Sequence, residues 1–170
     1  MIPDIQLVNC FYLIIPILLW NLGLGSRITQ AKITSDAHSP RWLLELEGGL
    51  RVIVFAFPLL MPLSWSGGWR QTGLGLYVAG TLIYFASWLP LMEKPTSANG
   101  MELSPRFQSW RQSRAGLLAP RLTPLLAFLG IALLGSSWVY AILAVVFTGF
   151  HLAHGVQNLR ARESRKAEPA

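Results

Sequence analysis

The chain has 170 residues, of which 52% are hydrophobic and 13% charged, and its mean hydropathy is +0.44. That excludes an ordinary soluble domain, in which about a quarter of residues carry charge. The net charge of +6 comes with no RNA- or DNA-binding motif, so nucleic acid is not an expected partner.

The charges are segregated. Residues 5–26, 52–69, 71–92 and 122–150 contain no Asp, Glu, Lys or Arg. Runs of this kind approach or exceed the ~20 residues that cross ~30 Å of hydrocarbon. Helices are expected, because backbone groups in lipid must be satisfied within the segment, and no alternating pattern points to a barrel. The expected fold is therefore all-α: a polytopic integral membrane protein with a bundle of five transmembrane helices. Residues 1–159 form its single domain and 160–170 a basic cytoplasmic tail, expected to be disordered.

The first expected span covers roughly 7–25. Its leader, "MIPDIQ", has no Lys or Arg and no A-x-A site follows, so it reads as a retained helix and not a cleaved signal. The single Cys10 lies in it, permits no disulfide within the chain, and reads as a small apolar filler. A polar loop then leads through "HSPRW" (38–42) to a second span over 50–66 and, after a short turn, a third over 73–92. A second polar loop contains "LSPRF" (103–107). Both pentapeptides offer a Ser cap followed by Pro at the first helical position, which suits either a duplicated two-span unit or a common capping signature. From Arg106 to Leu118, "RFQSWRQSRAGLL" reads as a short amphipathic helix at the interface before the fourth span. The fourth and fifth spans, 116–134 and 138–158, are broken only by Gly135-Ser136-Ser137. Pro16, Pro58, Pro62, Pro90, Pro120 and Pro124 fall within spans and each frees a carbonyl four residues earlier. Gly75 and Ala79 on the third span, and Ala144 and Thr148 on the fifth, are expected to allow close helix contacts.

Orientation follows from the basic residues. Arg27, Lys32, Arg41, Arg51, Lys94, Arg106, Arg111, Arg114, Arg121, Arg160, Arg162, Arg165 and Lys166 lie toward one side, and only Arg70 toward the other. The positive-inside rule places the N-terminus outside and the C-terminus in the cytoplasm, in a bacterial cytoplasmic (inner) membrane. Trp65, Trp69 and Trp138 at the outer ends, and Trp20 and Trp88 near the inner ends, read as interfacial anchors.

Depth along the spans gives the candidate site. Arg121 lies 14 positions before Gly135 and His151 lies 14 after Ser137. At ~1.5 Å per residue both sit ~20 Å from the outer surface. Counting from Trp65 brings Arg51 to this level, with Glu47 and His154 about one turn nearer the cytoplasm and Glu45 beside them. Ionisable groups at such depth are costly and usually face the bundle interior. Glu47 precedes Arg51 by four, the favourable order for a helical pair, which leaves Glu45, carbonyls freed near Pro120 and Pro124, or an anionic ligand as partners for Arg121. The plainer alternative is that the Arg side chains snorkel and the His residues are tolerated near a helix end.

These residues suggest a membrane protein that binds a lipid or small anionic ligand from the cytoplasmic leaflet, or a transport or complex subunit doing so. A second reading is an enzyme acting on a lipid or prenyl substrate, with Arg51 and Arg121 holding a phosphate and His151 or His154 moving protons. A third is an assembly subunit, homo- or hetero-oligomeric through its small-residue faces. No metal or cofactor is expected. His151 and His154 share a helix face and cannot ligate opposite sides of one haem, and His38, the only other histidine, is in a loop. "NLGLG" (21–25) has no preceding strand and is no dinucleotide fingerprint, and neither a Walker loop nor G-x-S-x-G is present. Asn9, Tyr77, Thr81, Tyr84 and Thr148 could line a path through the spans or simply bond between helices.

Overall fold

A computed structural model describes residues 9–23, 40–64, 67–92 and 113–167. All of its regular structure is helical, with no strand among these residues beyond an isolated bridge between Asn9 and Pro62. A 3-10 turn, Cys10–Leu13, leads into α1 over 15–23. Then come α2 (Arg41–Ala56) with a 3-10 turn at Phe57–Leu60, α3 (Gly68–Met92), α4 (Arg114–Leu122), α5 (Pro124–Leu134) and α6 (Trp138–Ala167).

Among the described residues, three helical stretches are long and apolar enough to cross a membrane: Gly68–Leu89, Arg114–Leu134 and Trp138–Ala161. The other two expected spans look different. Cys10–Gly23 is apolar but shorter. The second helix starts at Arg41, nine residues before the expected 50, and is no longer helical by Met61. Pro58 explains the early end, since it cannot donate to the carbonyl of Val54, and the backbone tightens into the 3-10 turn before Met61 becomes extended. At the other end of the chain, α6 continues through Ala167, well past the expected domain end at 159. The expected interfacial helix lies largely, and "LSPRF" wholly, outside the described residues. Of "HSPRW", residues 40–42 are described, and Pro40 itself precedes the helix as its cap residue, with Arg41 and not Pro as the first helical position.

The turns are chemically specified. Asn9 Oδ1 accepts from Phe11 N at 3.0 Å. Cys10 N–H donates to Met61 O at 2.9 Å, so the start of the first helical segment is tied to the end of the second. Ser113 Oγ caps α4 by accepting from Gly116 N at 3.0 Å. Thr123, still helical in φ and ψ, joins α4 to α5, and its hydroxyl donates back to Ala119 O at 2.9 Å. The Gly135-Ser136-Ser137 turn puts Ser136 at φ 52° and lets Ser137 Oγ accept from Tyr140 N at 3.2 Å, which starts α6. Arg70 bonds to Ser64 Oγ and, at 3.3 Å, to Ser136 Oγ, joining two turns at this end of the bundle.

The most extensive helix pair is α3 with α5. Here the expected small residues are not the ones used. Gly75 has open space where a Cβ would project, and both Gly75 and Ala79 face outward. The close approach is made instead by Gly73, Gly80 and Gly130. A Cβ on Gly80 would come within 2.8 Å of Leu126, and one on Gly130 within 2.7 Å of Gly73 O and Tyr77 Cα. These contacts place backbone against backbone, which only glycine permits. Ala144 and Thr148 are buried on α6, as interhelical positions should be.

The core is aromatic. Phe128 packs edge-on against Phe55 (5.9 Å between centroids), Phe147 (6.2 Å) and Tyr140 (6.4 Å), and Tyr140 stacks on Phe57. The outward faces of α2, α3 and α6 carry large apolar side chains such as Val52, Leu82 and Val145, the distribution expected of helices facing lipid. Trp69 and Trp138 are exposed, as anchors are. Trp20 and Trp88 instead pack inward: Trp20 stacks on Phe85 at 4.4 Å, and Trp88 meets Tyr84 edge-on. Trp65 lies outside the described residues.

Tyr140 is fully buried and its hydroxyl has no hydrogen-bond partner. A buried unsatisfied polar group destabilises by roughly 1–3 kcal/mol, so Tyr140→Phe should raise stability by about 1 kcal/mol. Thermal unfolding in mild detergent checks this, and a lowered midpoint would show that the hydroxyl is satisfied.

Candidate functional site

The second helix supplies the centre of the site. Its buried positions, Leu43, Glu47 and Val54, follow helical spacing, so Glu47 lies on the stripe that faces the bundle. Its residue is 3% exposed. The carboxylate collects three partners. Arg51, one turn along the same helix, bonds to Oε1. From α6, His151 Nδ1 meets Oε1 at 2.8 Å and His154 Nδ1 meets Oε2 at 2.5 Å. The i, i+3 spacing of the two histidines lets adjacent turns of one helix address the two oxygens of one carboxylate.

Arg121 reaches the same region from α4. Its side chain crosses α6 at Gly155, where a Cβ would come within 2.7 Å of Arg121 Cδ. Gly155 therefore leaves the room that the guanidinium occupies. The charges of Arg121 and Arg51 both act on His151. The His151 ring stacks on Phe147 at 5.5 Å and 12°, so one face of the imidazole is held by the aromatic core. Asn158, seven residues beyond His151 and 4% exposed, extends the polar stripe of α6 toward its basic end.

Glu45 stands apart. It faces outward and pairs with Arg41 at 2.9 Å, with side chains 66% and 92% exposed, so it is not brought to Arg121. The structure thus gathers Glu47, Arg51, Arg121, His151 and His154 and leaves Glu45 on the surface. Asn21, Gly155 and Asn158 were missed in the sequence. The signals were present: heptad spacing from His151 for Asn158, and a glycine directly after a buried histidine for Gly155.

Beside the cluster, the Tyr84 hydroxyl donates to Asn21 Oδ1 at 2.5 Å, and Asn21 Nδ2 donates to Ile17 O at 2.9 Å. Tyr77 OH donates to Leu13 O at 2.9 Å. These bonds fasten the Cys10–Leu13 turn and α1 to α3. They give Tyr77 and Tyr84 a part in helix attachment, and Asn9 a part in capping.

A carboxylate can only accept, so each Nδ1 facing Glu47 carries its proton. Orientation of an imidazole by a carboxylate at Nδ1 serves equally for a base and for an anion-binding donor. Among the described residues, no group of three or more His, Cys, Asp or Glu side chains could hold a metal ion. No protein-family model, curated protein or solved structure matches the chain. The class is set by the fold: among the described residues the protein is all-α, with three helices apolar enough to span a membrane.

Proposed function

We propose that the chain is a small multi-pass membrane protein that binds a lipid headgroup or small anionic ligand at its cytoplasmic end, by itself or as a transport or complex subunit. The observation that carries this reading is Glu47, a buried carboxylate that draws Arg51, His151 and His154 together inside a bundle with apolar outer faces. Ionisable groups in such surroundings are expensive and mark functional sites more often than anchors. Arg51 and Arg121 bring two guanidiniums to this region, and a guanidinium fork is a donor set that suits an anion. The aromatic core around Phe128 and Phe147 occupies the side of His151 away from Glu47, which favours the Glu47 side for a ligand.

The proposal includes five membrane-crossing segments with the N-terminus outside. In support, Arg70 sits at the Cys10–Met61–Gly135 end, whereas Arg51, Arg121 and the basic end of α6 gather at the opposite end. A fluorescent protein fused after residue 170 should fluoresce in the cytoplasm, and an export-dependent reporter active at that position would reverse the orientation.

Native mass spectrometry of the protein in mild detergent tests the ligand. An anionic lipid or small anion should co-purify, and Arg121→Ala should reduce its occupancy several-fold. Undiminished occupancy in Arg121→Ala, or no adduct on the wild type, would remove the reading. The Nδ1 contacts to Glu47 favour one alternative, an enzyme in which His151 acts as base on a lipid or prenyl substrate. In that case His151→Ala would abolish turnover and leave the fold and ligand retention intact.

A further inference from the structure

We infer that α4 is a hinged flap: it pivots at Thr123, Arg121 latches it against α6, and its outward swing uncovers the contact between Glu47 and His154. What then enters rests on the anion reading above; the hinge itself does not.

The apolar stretch Arg114–Leu134 is built of two unlike halves. α5 is fixed. It buries Phe128, Ile131 and Leu134 and lies backbone to backbone on α3 at Gly80 and Gly130. α4 has nine residues, and its only buried ones are Gly116 and Pro120, neither with a large side chain. Lifting α4 therefore gives up far less packing than lifting α5 would.

The junction between them is weak on one face. Pro120 cannot donate to Gly116 O, and Pro124 cannot donate to Pro120 O, so two successive turns each lack a backbone bond. Gly116, Pro120 and Pro124 are buried and recur every four residues, which puts both missing bonds on the side toward the bundle. Each proline ring crowds the carbonyl four residues before it. The bend that relieves this crowding opens the inner face and carries α4 outward. At the pivot, Thr123 Oγ1 approaches Ser87 Oγ of α3 to 3.4 Å. That tether is weak, because each hydroxyl already donates its one proton to a carbonyl of its own helical stretch, Ala119 O at 2.9 Å and Tyr84 O at 2.6 Å. A few such residues at an element's end are what absorb a hinge motion.

The latch is Arg121. It crosses α6 at Gly155, where an added Cβ would come within 2.7 Å of its Cδ and 2.9 Å of its Cζ. Gly155 directly follows His154, and both are buried, His154 against Glu47 of α2 and Gly155 against Arg121 of α4. α2 and α4 thus close this turn of α6 between them, and α4 is the one with proline in two successive turns. The latch is a long, flexible side chain. A methyl group at position 155 therefore displaces the guanidinium and leaves the backbone of α6 in place.

Double electron–electron resonance on the full chain in phosphatidylcholine nanodiscs reads the swing. Nitroxides go on the exposed positions Ala115 and Ala153, with Cys10→Ala removing the native thiol. Gly155→Ala should shift the pair to a longer distance. Arg121→Ala, which removes the latch without adding bulk, should do the same. Gly149→Ala, whose Cβ meets nothing, should leave the distance unchanged. Diethyl pyrocarbonate, with mass spectrometry to assign the modified histidine, reads access to His154, which is 5% exposed. Gly155→Ala should speed its modification several-fold. Pro120→Ala and Pro124→Ala each restore one backbone hydrogen bond and should each slow it about fivefold relative to the wild type. An unchanged distance in both latch variants, or equal rates at His154 in the wild type and both proline variants, overturns the inference. Neither readout contains a ligand. A rigid α4 therefore leaves the anion reading standing, and a moving α4 on a protein that retains no anion ends that reading and leaves the hinge.

Discussion

Glu47→Ala should destabilise the protein by about 3–5 kcal/mol, the range found when one member of a buried charge network is removed and its partners are left behind. Three groups lose their acceptor at once: the Nδ1 hydrogens of His151 and His154, and Arg51. His154 has nowhere to go, because its side chain is only 6% exposed, whereas Arg51, 43% exposed, can turn to water. Most of the loss therefore comes from the histidines. Glu47→Gln should cost less, since the amide oxygen still accepts from one ring. Glu45→Ala is the internal comparison. Glu45 and Arg41 form a highly exposed i, i+4 pair, so its removal should change stability by no more than about 0.5 kcal/mol. Unfolding of all three variants in mixed detergent micelles checks the order. Equal effects of Glu47→Ala and Glu45→Ala would show that Glu47 is not the centre of the interior network.

The second large effect is expected at Gly130. Even Gly130→Ala puts a Cβ within 2.7 Å of Gly73 O and Tyr77 Cα, and no side-chain rotation relieves a clash with backbone. Overpacking typically costs about 1–3 kcal/mol, and a backbone collision belongs at or above the top of that range. Gly80→Ala should behave alike, since its Cβ would meet both the backbone and the side chain of Leu126. Gly75→Ala, five residues from Gly80 on the same helix, meets nothing and should be neutral or slightly stabilising through helix propensity. Thermal midpoints in detergent decide the matter. If Gly75→Ala proved as harmful as Gly130→Ala, the α3–α5 packing would be misassigned.

The contrast between Gly75 and Gly80 shows where sequence reading stopped. Small residues announce that a helix can approach another closely, but α3 is apolar on every side, so hydropathy does not say which face turns inward. Gly73 and Gly80 are separated by one heptad, and that spacing selects the true face once α5 is known to lie against it. Two of the tryptophans show the same gap between linear position and packing. Trp20 and Trp88 lie near helix ends, as anchors do, yet Phe85 and Tyr84 on α3 offer stacking surfaces that are not apparent from linear position.

The ionisable cluster was more legible, because charge in an apolar run is rare and depth can be counted from fixed turns. The Gly135-Ser136-Ser137 turn set the register of Arg121 against His151, and the Arg121 side chain does reach α6 at Gly155, one turn from His151. Counting heights gave no direction around the helix axis, however. Glu45 and Glu47 differ by two residues, or about 200° of rotation, and that places one on the surface and the other inside. The second helix was also drawn too late in the chain. The expected span followed its uncharged stretch, whereas the helix itself begins at Arg41 and carries its charges with it.

The attachments of α1 have a bearing on biogenesis. Cys10 reaches Met61, Leu13 receives a bond from Tyr77, and Asn21 receives one from Tyr84. Every one of these links waits for residues 51 to 64 places further along the chain to leave the ribosome. The first described helical segment therefore cannot take its seat before α3 has been synthesised.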